Sequence, residues 1–213
     1  MRIVFFGKGK RGTDCLKALQ SADHDVALVV THPSNNDSSS ASVDELAKKY
    51  EIPTISPSDT NGAKTLEILE DVSTDIFILA GYGKILDKKL LSVPNVISLN
   101  LHAGKLPEYR GSSPMNWALI NGELEFTISV IAVDRGIDTG DILKEKTFSI
   151  DMDYTIQDLH RIANSNFPGM LLEVLRDLVG GKLLRKKQKE ENARYYPLRF
   201  PDDGLVVLSL IHI

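Results

Sequence analysis

RIVFFGKGKRG, Arg2–Gly12, decides the fold. Arg2–Phe6 is an apolar run that meets glycines at once, and a strand covered on both faces reads in this way because neither side chain direction reaches water. The turn GKGKRG, Gly7–Gly12, opens a helix that carries Cys15, Leu16 and Leu19 on one side, and Val26–Val30 supplies the next buried strand. Further along, Ile52–Ile55, the helix signal Gly62–Leu69 and the strand signal Asp75–Ala80 continue the alternation, which predicts an α/β domain with a mostly parallel central sheet flanked by helices.

The polar stretch Thr31–Ser42 between the second strand and the next helix predicts a mobile surface loop, with Ser42 and Glu45 as a capping box. Ser113–Ile120 predicts a helix whose Trp117 belongs to the core, and Thr127–Val133 with Ile142–Ile150 predicts two strands. Thr155 opens a long helix with the stripe Ile156, Leu159, Ile162 and Ala163, resumed beyond Pro168 by Met170, Leu171, Val174 and Leu175 and stopped by Gly180–Gly181. These signals bound a catalytic domain over residues 1–181 and a tail over 182–213, whose apolar ending reads as truncated or non-native.

Gly7, Gly9 and Gly12 also fit GxGxxG in the strand-to-helix context of a dinucleotide site. The second strand, however, ends in Val30, Thr31 and His32 where a ribose-binding acid should stand, which argues against a nicotinamide oxidoreductase. Phosphate capture at the helix N-terminus, aided by Lys8, Lys10 and Arg11, and a plain tight turn both stay open.

The chemistry concentrates in SLNLHAGKLPEYRG, Ser98–Gly111, and GIDTGDIL, Gly136–Leu143. Asn100 and His102 stand two apart on an apolar run, so strand alternation sends both to one face. Buried there, an amide and an imidazole need partners, and Asp138 is the natural one. A fixed donor, a proton acceptor and an orienting carboxylate suit acyl transfer without a covalent nucleophile.

Asn-x-His, LPEYRG and Asp-Thr-Gly together resemble the 10-formyltetrahydrofolate-dependent formyltransferase family, which includes glycinamide ribonucleotide, methionyl-tRNA and sugar-amine formyltransferases. The resemblance runs from the first strand to about Pro201 and implies a Rossmann-like formyltransferase fold. It implies Asn100, His102 and Asp138 as the catalytic trio, and 10-formyltetrahydrofolate as co-substrate with no metal. GYGKIL, Gly81–Leu86, is similar to the family's pterin-gripping segment, so Lys84, Ile85 and Leu86 on one side and Asp134, Gly136, Ile137 and Gly140 on the other become the folate contacts. Lys10, Arg11 and Gly12, near the loop where glycinamide ribonucleotide enzymes hold a phosphate, and Tyr109 with Arg110 become acceptor contacts.

LPEYRGSSPMNWALINGE, Leu106–Glu123, and the YYP of Tyr195–Pro197 look closest to the sugar-amine enzymes, so the expected acceptor is a nucleotide-linked amino sugar. The methionyl-tRNA enzymes carry a further RNA-binding domain for which 213 residues leave no room, but the odd tail can make its absence an artefact, so methionyl-tRNA is the runner-up; glycinamide ribonucleotide and simple hydrolysis follow. A net charge of −4 and a pI near 5.7 give no electrostatic reason to bind nucleic acid over a broad surface, and the basic run Arg185–Lys189 reads as a solvated face.

The lone Cys15 forms no internal disulfide, and the N-terminal apolar run is too short to span a membrane or act as a signal. The cytoplasm is the expected compartment, and the sequence does not fix the oligomeric state. GxSxG and HExxH are missing, and Asp134, Asp138, Asp141, Asp151 and Asp153 lack cation-loop spacing, so they read as solvated turn acids.

Overall fold

A computed structural model describes the protein over residues 1–33 and 38–205. The chain runs β1 (Arg2–Gly7), α1 (Gly9–Ser21), β2 (Asp25–Val30), α2 (Ser38–Lys49), β3 (Thr54–Ile55), α3 (Ala63–Asp71) and β4 (Ile76–Ala80). It continues through α4 (Lys88–Leu91), β5 (Ile97–His102), β6 (Arg110–Gly111), α5 (Pro114–Ile120), β7 (Glu125–Ala132), β8 (Ile142–Ser149), α6 (Ile156–Val179) and β9 (Tyr195–Tyr196).

Seven strands form one sheet in the order β3-β2-β1-β4-β5-β7-β8. The first five are mutually parallel, and β7 and β8 close the edge antiparallel. Side-chain alternation on the parallel strands feeds two cores. Ile3, Phe5, Ile76 and Ile78 pack with Cys15, Leu16 and Leu19 of α1 and Phe167 and Leu171 of α6, while Val4, Phe6, Phe77 and Leu79 pack with Leu69 of α3 and Leu90 of α4. Each such fully buried side chain is worth about 1.5–3 kcal/mol of hydrophobic stabilisation. In the first core, burial pushes the Cys15 thiol up to about 12.

Helix α6 runs unbroken for 24 residues through Pro168, where the sequence read two stretches of one stripe. Proline removes an internal hydrogen bond at a cost of about 3 kcal/mol, but Leu159, Ala163, Phe167, Met170, Leu171, Val174 and Leu175 are all buried on the same face and outweigh it. At the start of α6, the Thr155 backbone N–H and hydroxyl both donate to Asp158, at 2.9 and 2.7 Å, which holds that carboxyl down at about 2.

One local expectation changes, and two details are new. Helix α2 begins at Ser38, so Ser42 lies inside it and does not cap it; residues 34–37 of the expected loop lie outside the described residues. The four-residue helix α4, capped by the Asp87 carboxylate on the Leu90 N–H at 3.0 Å, has too few residues to show a period. Trp117 is half-buried and packs against the rim of the first core: its indole N–H donates to the Pro197 carbonyl at 2.9 Å and its ring tilts onto Tyr196.

The segment after Gly181 stays on the domain. Lys186 exchanges backbone hydrogen bonds with Ile142, both at 2.9 Å, and β9 pairs in parallel with β6. Among the described residues, no helix is long and apolar enough to cross a membrane.

Candidate active site

A cavity of about 610 Å³ opens where β1, β4 and β5 end, beside the point at which strand order reverses between β1 and β4. Parallel sheets bind ligands there because the loops diverge to opposite faces and leave a crevice. The loop after β4 forms one wall, the β5 end the floor, and the Asp134–Gly140 loop the opposite wall.

Asn100 and His102 lie on the same face of β5, and Asp138 reaches both from the opposite loop. The Asn100 amide donates to Asp138 Oδ1 at 3.3 Å, and His102 Nδ1 lies 3.5 Å from Oδ2. The backbone N–H of Gly111 donates to the same Oδ2 at 3.0 Å. The imidazole is also anchored behind, where Nε2 lies 2.6 Å from the Tyr109 carbonyl oxygen. A carbonyl only accepts, so Nε2 carries the proton and Nδ1 of a neutral ring offers its lone pair beside Asp138. Asp138 adopts φ +54°, a left-handed backbone that costs an L residue energy and persists only where neighbours hold it.

Close packing surrounds this geometry. A Cβ on Gly104 would lie 2.7 Å from His102 Nε2 and 2.8 Å from the Tyr109 carbonyl oxygen. One on Gly140 would lie 1.8 Å from the Ala132 carbonyl oxygen, so the tight turn of the aspartate loop requires glycine.

All seven residues expected to contact folate line the cavity: Lys84, Ile85, Leu86, Asp134, Gly136, Ile137 and Gly140. Leu86 is buried in the wall, whereas Ile85 and Ile137 expose apolar surface. The Lys84 ammonium is tied to the Ser58 carbonyl at 2.8 Å, and Asp134 braces its loop by accepting from Gly136 N–H and the Thr139 hydroxyl.

The five expected acceptor contacts divide. Arg11 lines the cavity, donates to the Leu101 carbonyl at 3.1 Å and stacks 4.7 Å above the Phe167 ring; desolvation pulls its guanidinium down to about 10. Lys10 is exposed and paired with Asp14, and Gly12 is buried against Val43, neither of them on the cavity wall. The Tyr109 hydroxyl turns away to Glu123 at 2.6 Å and Asn121 at 3.0 Å; burial and the Glu123 hydrogen bond push it up. Arg110 is fully buried and donates to both carboxylate oxygens of Glu190 at 2.9 Å, to Tyr195 at 2.8 Å and to Gln188 at 3.0 Å. The Glu190 hydrogen bonds raise its affinity for the proton.

Sequence reasoning did not pick out Ser112, Asn116 and His160 as site residues and used Tyr196 only as part of the YYP segment; all four line the same cavity. His160 follows the buried Leu159 on α6, and burial, then the charge of Arg11, lowers its proton affinity. Its place one step off the apolar stripe is the only signal the sequence carried. Among the described residues, no group of three or more histidines, cysteines and acids could hold a metal ion.

A methionyl-tRNA formyltransferase from Caldanaerobacter subterraneus subsp. tengcongensis is 38% identical over 205 residues, 93% of this chain and 66% of the relative. The chain therefore spans slightly under two thirds of that relative's length. Among solved structures, the N-formyltransferase from Helicobacter canadensis, in complex with folinic acid and dTDP-3-aminofucose, aligns with a TM-score of 0.75 at 21% identity, covering 92% of this chain and 71% of the other. Glycinamide ribonucleotide transformylase 1 from Symbiobacterium toebii aligns with a TM-score of 0.76 at 20% identity, covering 89% and 94%. Residues 1–175, from β1 into α6 and including Asn100, His102 and Asp138, match the formyl transferase family, and the chain belongs to that family of formyl-transferring enzymes.

Proposed function

We propose that the protein transfers the formyl group of 10-formyltetrahydrofolate to a primary amine, and that the amine is the α-amino group of methionyl-tRNA. The convergence of Asn100, His102 and Asp138 on one cavity supports the chemistry. The cavity also suits the folate: a flat bicyclic ring needs an apolar slot with backbone donors and acceptors, and Ile85 and Leu86 beside Gly81 and Gly83 supply both.

In this mechanism the unprotonated amine attacks the formyl carbon, a new C–N bond forms, and the carbonyl oxygen gains negative charge. Asn100 donates one amide hydrogen to Asp138, which leaves its second for that oxygen. A donor of this kind is worth roughly 2.7–4 kcal/mol in the transition state. His102 Nδ1 takes the proton released by the amine, and the Asp138 carboxylate steadies the imidazolium. Collapse breaks the bond to the folate nitrogen, which receives the proton as tetrahydrofolate leaves.

Sequence identity of 38% over 93% of the chain supports the tRNA acceptor ahead of the amino sugar that the motifs suggested. The sugar remains a second reading because Tyr195, from the YYP segment, lines the cavity and is exposed, a ring for a nucleotide base to stack on. Arg11, whose buried Nε has no protein partner among the described residues, would serve an anionic group of either acceptor.

The test follows tetrahydrofolate formation with initiator methionyl-tRNA, a dTDP-linked amino sugar and glycinamide ribonucleotide in parallel. Turnover with methionyl-tRNA, reduced about 10²–10³-fold in Asn100→Ala, is the expected result. Turnover with the sugar alone moves the assignment to the second reading, and formate release with no amine turns the enzyme into a hydrolase. An Asn100→Ala variant with unchanged turnover overturns the mechanism.

A further inference from the structure

Gln188 sits half-buried within the otherwise exposed run Lys186–Lys189 and turns into the back of the aspartate loop. Its amide nitrogen donates to the carbonyl oxygens of Asp138 at 2.8 Å and Gly140 at 2.7 Å, which uses both of its hydrogens. Its amide oxygen accepts from Arg110 Nε at 3.0 Å. Arg110 is itself clamped by Glu190 and Tyr195, and the next residue, Gly111, donates its N–H to the Asp138 carboxylate at 3.0 Å. One side chain thus ties both ends of the Asp138 turn to the strand that grips its carboxylate.

We propose that Gln188 is a positioning residue for Asp138: it holds the aspartate loop in the left-handed turn that aims the carboxylate at His102 and Asn100. The inference rests on the reading of Asp138 as the group that steadies His102. Backbone strain at Asp138, with φ +54°, makes the turn dependent on outside bonds, and Gln188 supplies two of them to carbonyls that secondary structure leaves unpaired. The segment after α6 then belongs to the active site's frame, and Gln188 within it touches the reaction only through Asp138.

Two variants separate this role from simple adhesion of the tail. Gln188→Ala removes every contact, whereas Gln188→Glu keeps an acceptor for Arg110 and replaces both donors with a carboxylate facing two carbonyls. The direct reporter is hydrogen exchange of the Gly111 amide, read by NMR, because its acceptor is the Asp138 carboxylate. Exchange at Gly111 should quicken by about tenfold or more in both variants, with Phe77 in the middle of β4 unaffected. No change, a rise confined to Gln188→Ala, or an equal rise at Phe77 would each overturn the proposal.

Kinetics with the acceptor that turns over in the panel give the second arm. Gln188→Glu should lower kcat about 10–100-fold, as expected for a displacement of around 1 Å, while KM for 10-formyltetrahydrofolate stays within about twofold. In an Asp138→Asn background the same substitution should cost nothing further, because Gln188 acts through the carboxylate. Equal losses in the two backgrounds, or a rise in KM at constant kcat, would refute it. If wild type turns over no acceptor, the functional assignment fails by itself and Gly111 exchange still decides the positioning role.

Discussion

Gly104→Ala adds one methyl group at a tightly packed point behind the His102 ring. Gly104 needs no unusual backbone angle, so the cost is one of space. The new carbon would lie 2.7 Å from His102 Nε2, 2.8 Å from the Tyr109 carbonyl oxygen and 2.8 Å from Pro114 Cβ. Ordinary contact needs well over 3 Å, and a buried ring, a main-chain carbonyl and a proline carbon have little freedom to retreat. Two costs follow. Overpacking of this kind typically takes about 1–3 kcal/mol, and wedging apart the 2.6 Å His102–Tyr109 hydrogen bond leaves a buried donor unsatisfied for about 1–3 kcal/mol more. Together they predict a fall of roughly 2–6 kcal/mol in stability, or about 4–24 °C in Tm at roughly 2–4 °C per kcal/mol for a chain of this size. A ring displaced by about 1 Å also predicts a kcat lower by about 10²-fold. Calorimetry and single-turnover formyl transfer test the two halves, with Gly83→Ala as the stability control because a Cβ there meets nothing within 4 Å. A Gly104→Ala protein with wild-type Tm and rate would refute the claim that the Tyr109 carbonyl fixes the imidazole.

Gly169→Ala should raise stability by roughly 0.5–1 kcal/mol, since it lies exposed inside α6 and an added Cβ meets nothing within 4 Å; a lower Tm would contradict this. Asp158 titrates at about 2 in the folded chain, below its ordinary 3.8, so its contribution to stability is present above the ordinary value and is lost as pH falls toward about 2. The Tm difference between wild type and Asp158→Asn should therefore be constant above about pH 5 and shrink between about pH 4 and pH 2, and a difference independent of pH would remove Asp158 as the cap.

Much of this was legible because it is local. Continuous apolar runs bounded by glycine declared the parallel strands, since a strand covered on both faces has no polar side to display. The Asn100–His102 spacing needed only strand alternation. What stayed hidden depends on partners distant in the chain. Arg110 reads as an exposed loop cation until Glu190, eighty residues on, buries it. Gln188 is concealed among lysines, and nothing in its neighbourhood points to the carbonyls it meets. Trp117 carries the signature of a core residue, yet its indole closes onto a tail segment whose route no periodicity encodes. The Tyr109 carbonyl is a main-chain atom, so no residue type could announce it.

Cys15 offers a practical return from the packing of α1. It is the only thiol in the chain, it is fully buried, and at about 12 its pKa leaves almost no reactive thiolate at neutral pH. A disulfide reagent can reach it only when α1 lifts from the sheet, so the labelling rate divided by that of a free thiol reports how often this half of the molecule opens. Folate or acceptor that stiffens the cavity would slow that clock, and the unmodified protein thus carries its own single-site gauge of ligand binding without a fluorophore or an assay of turnover.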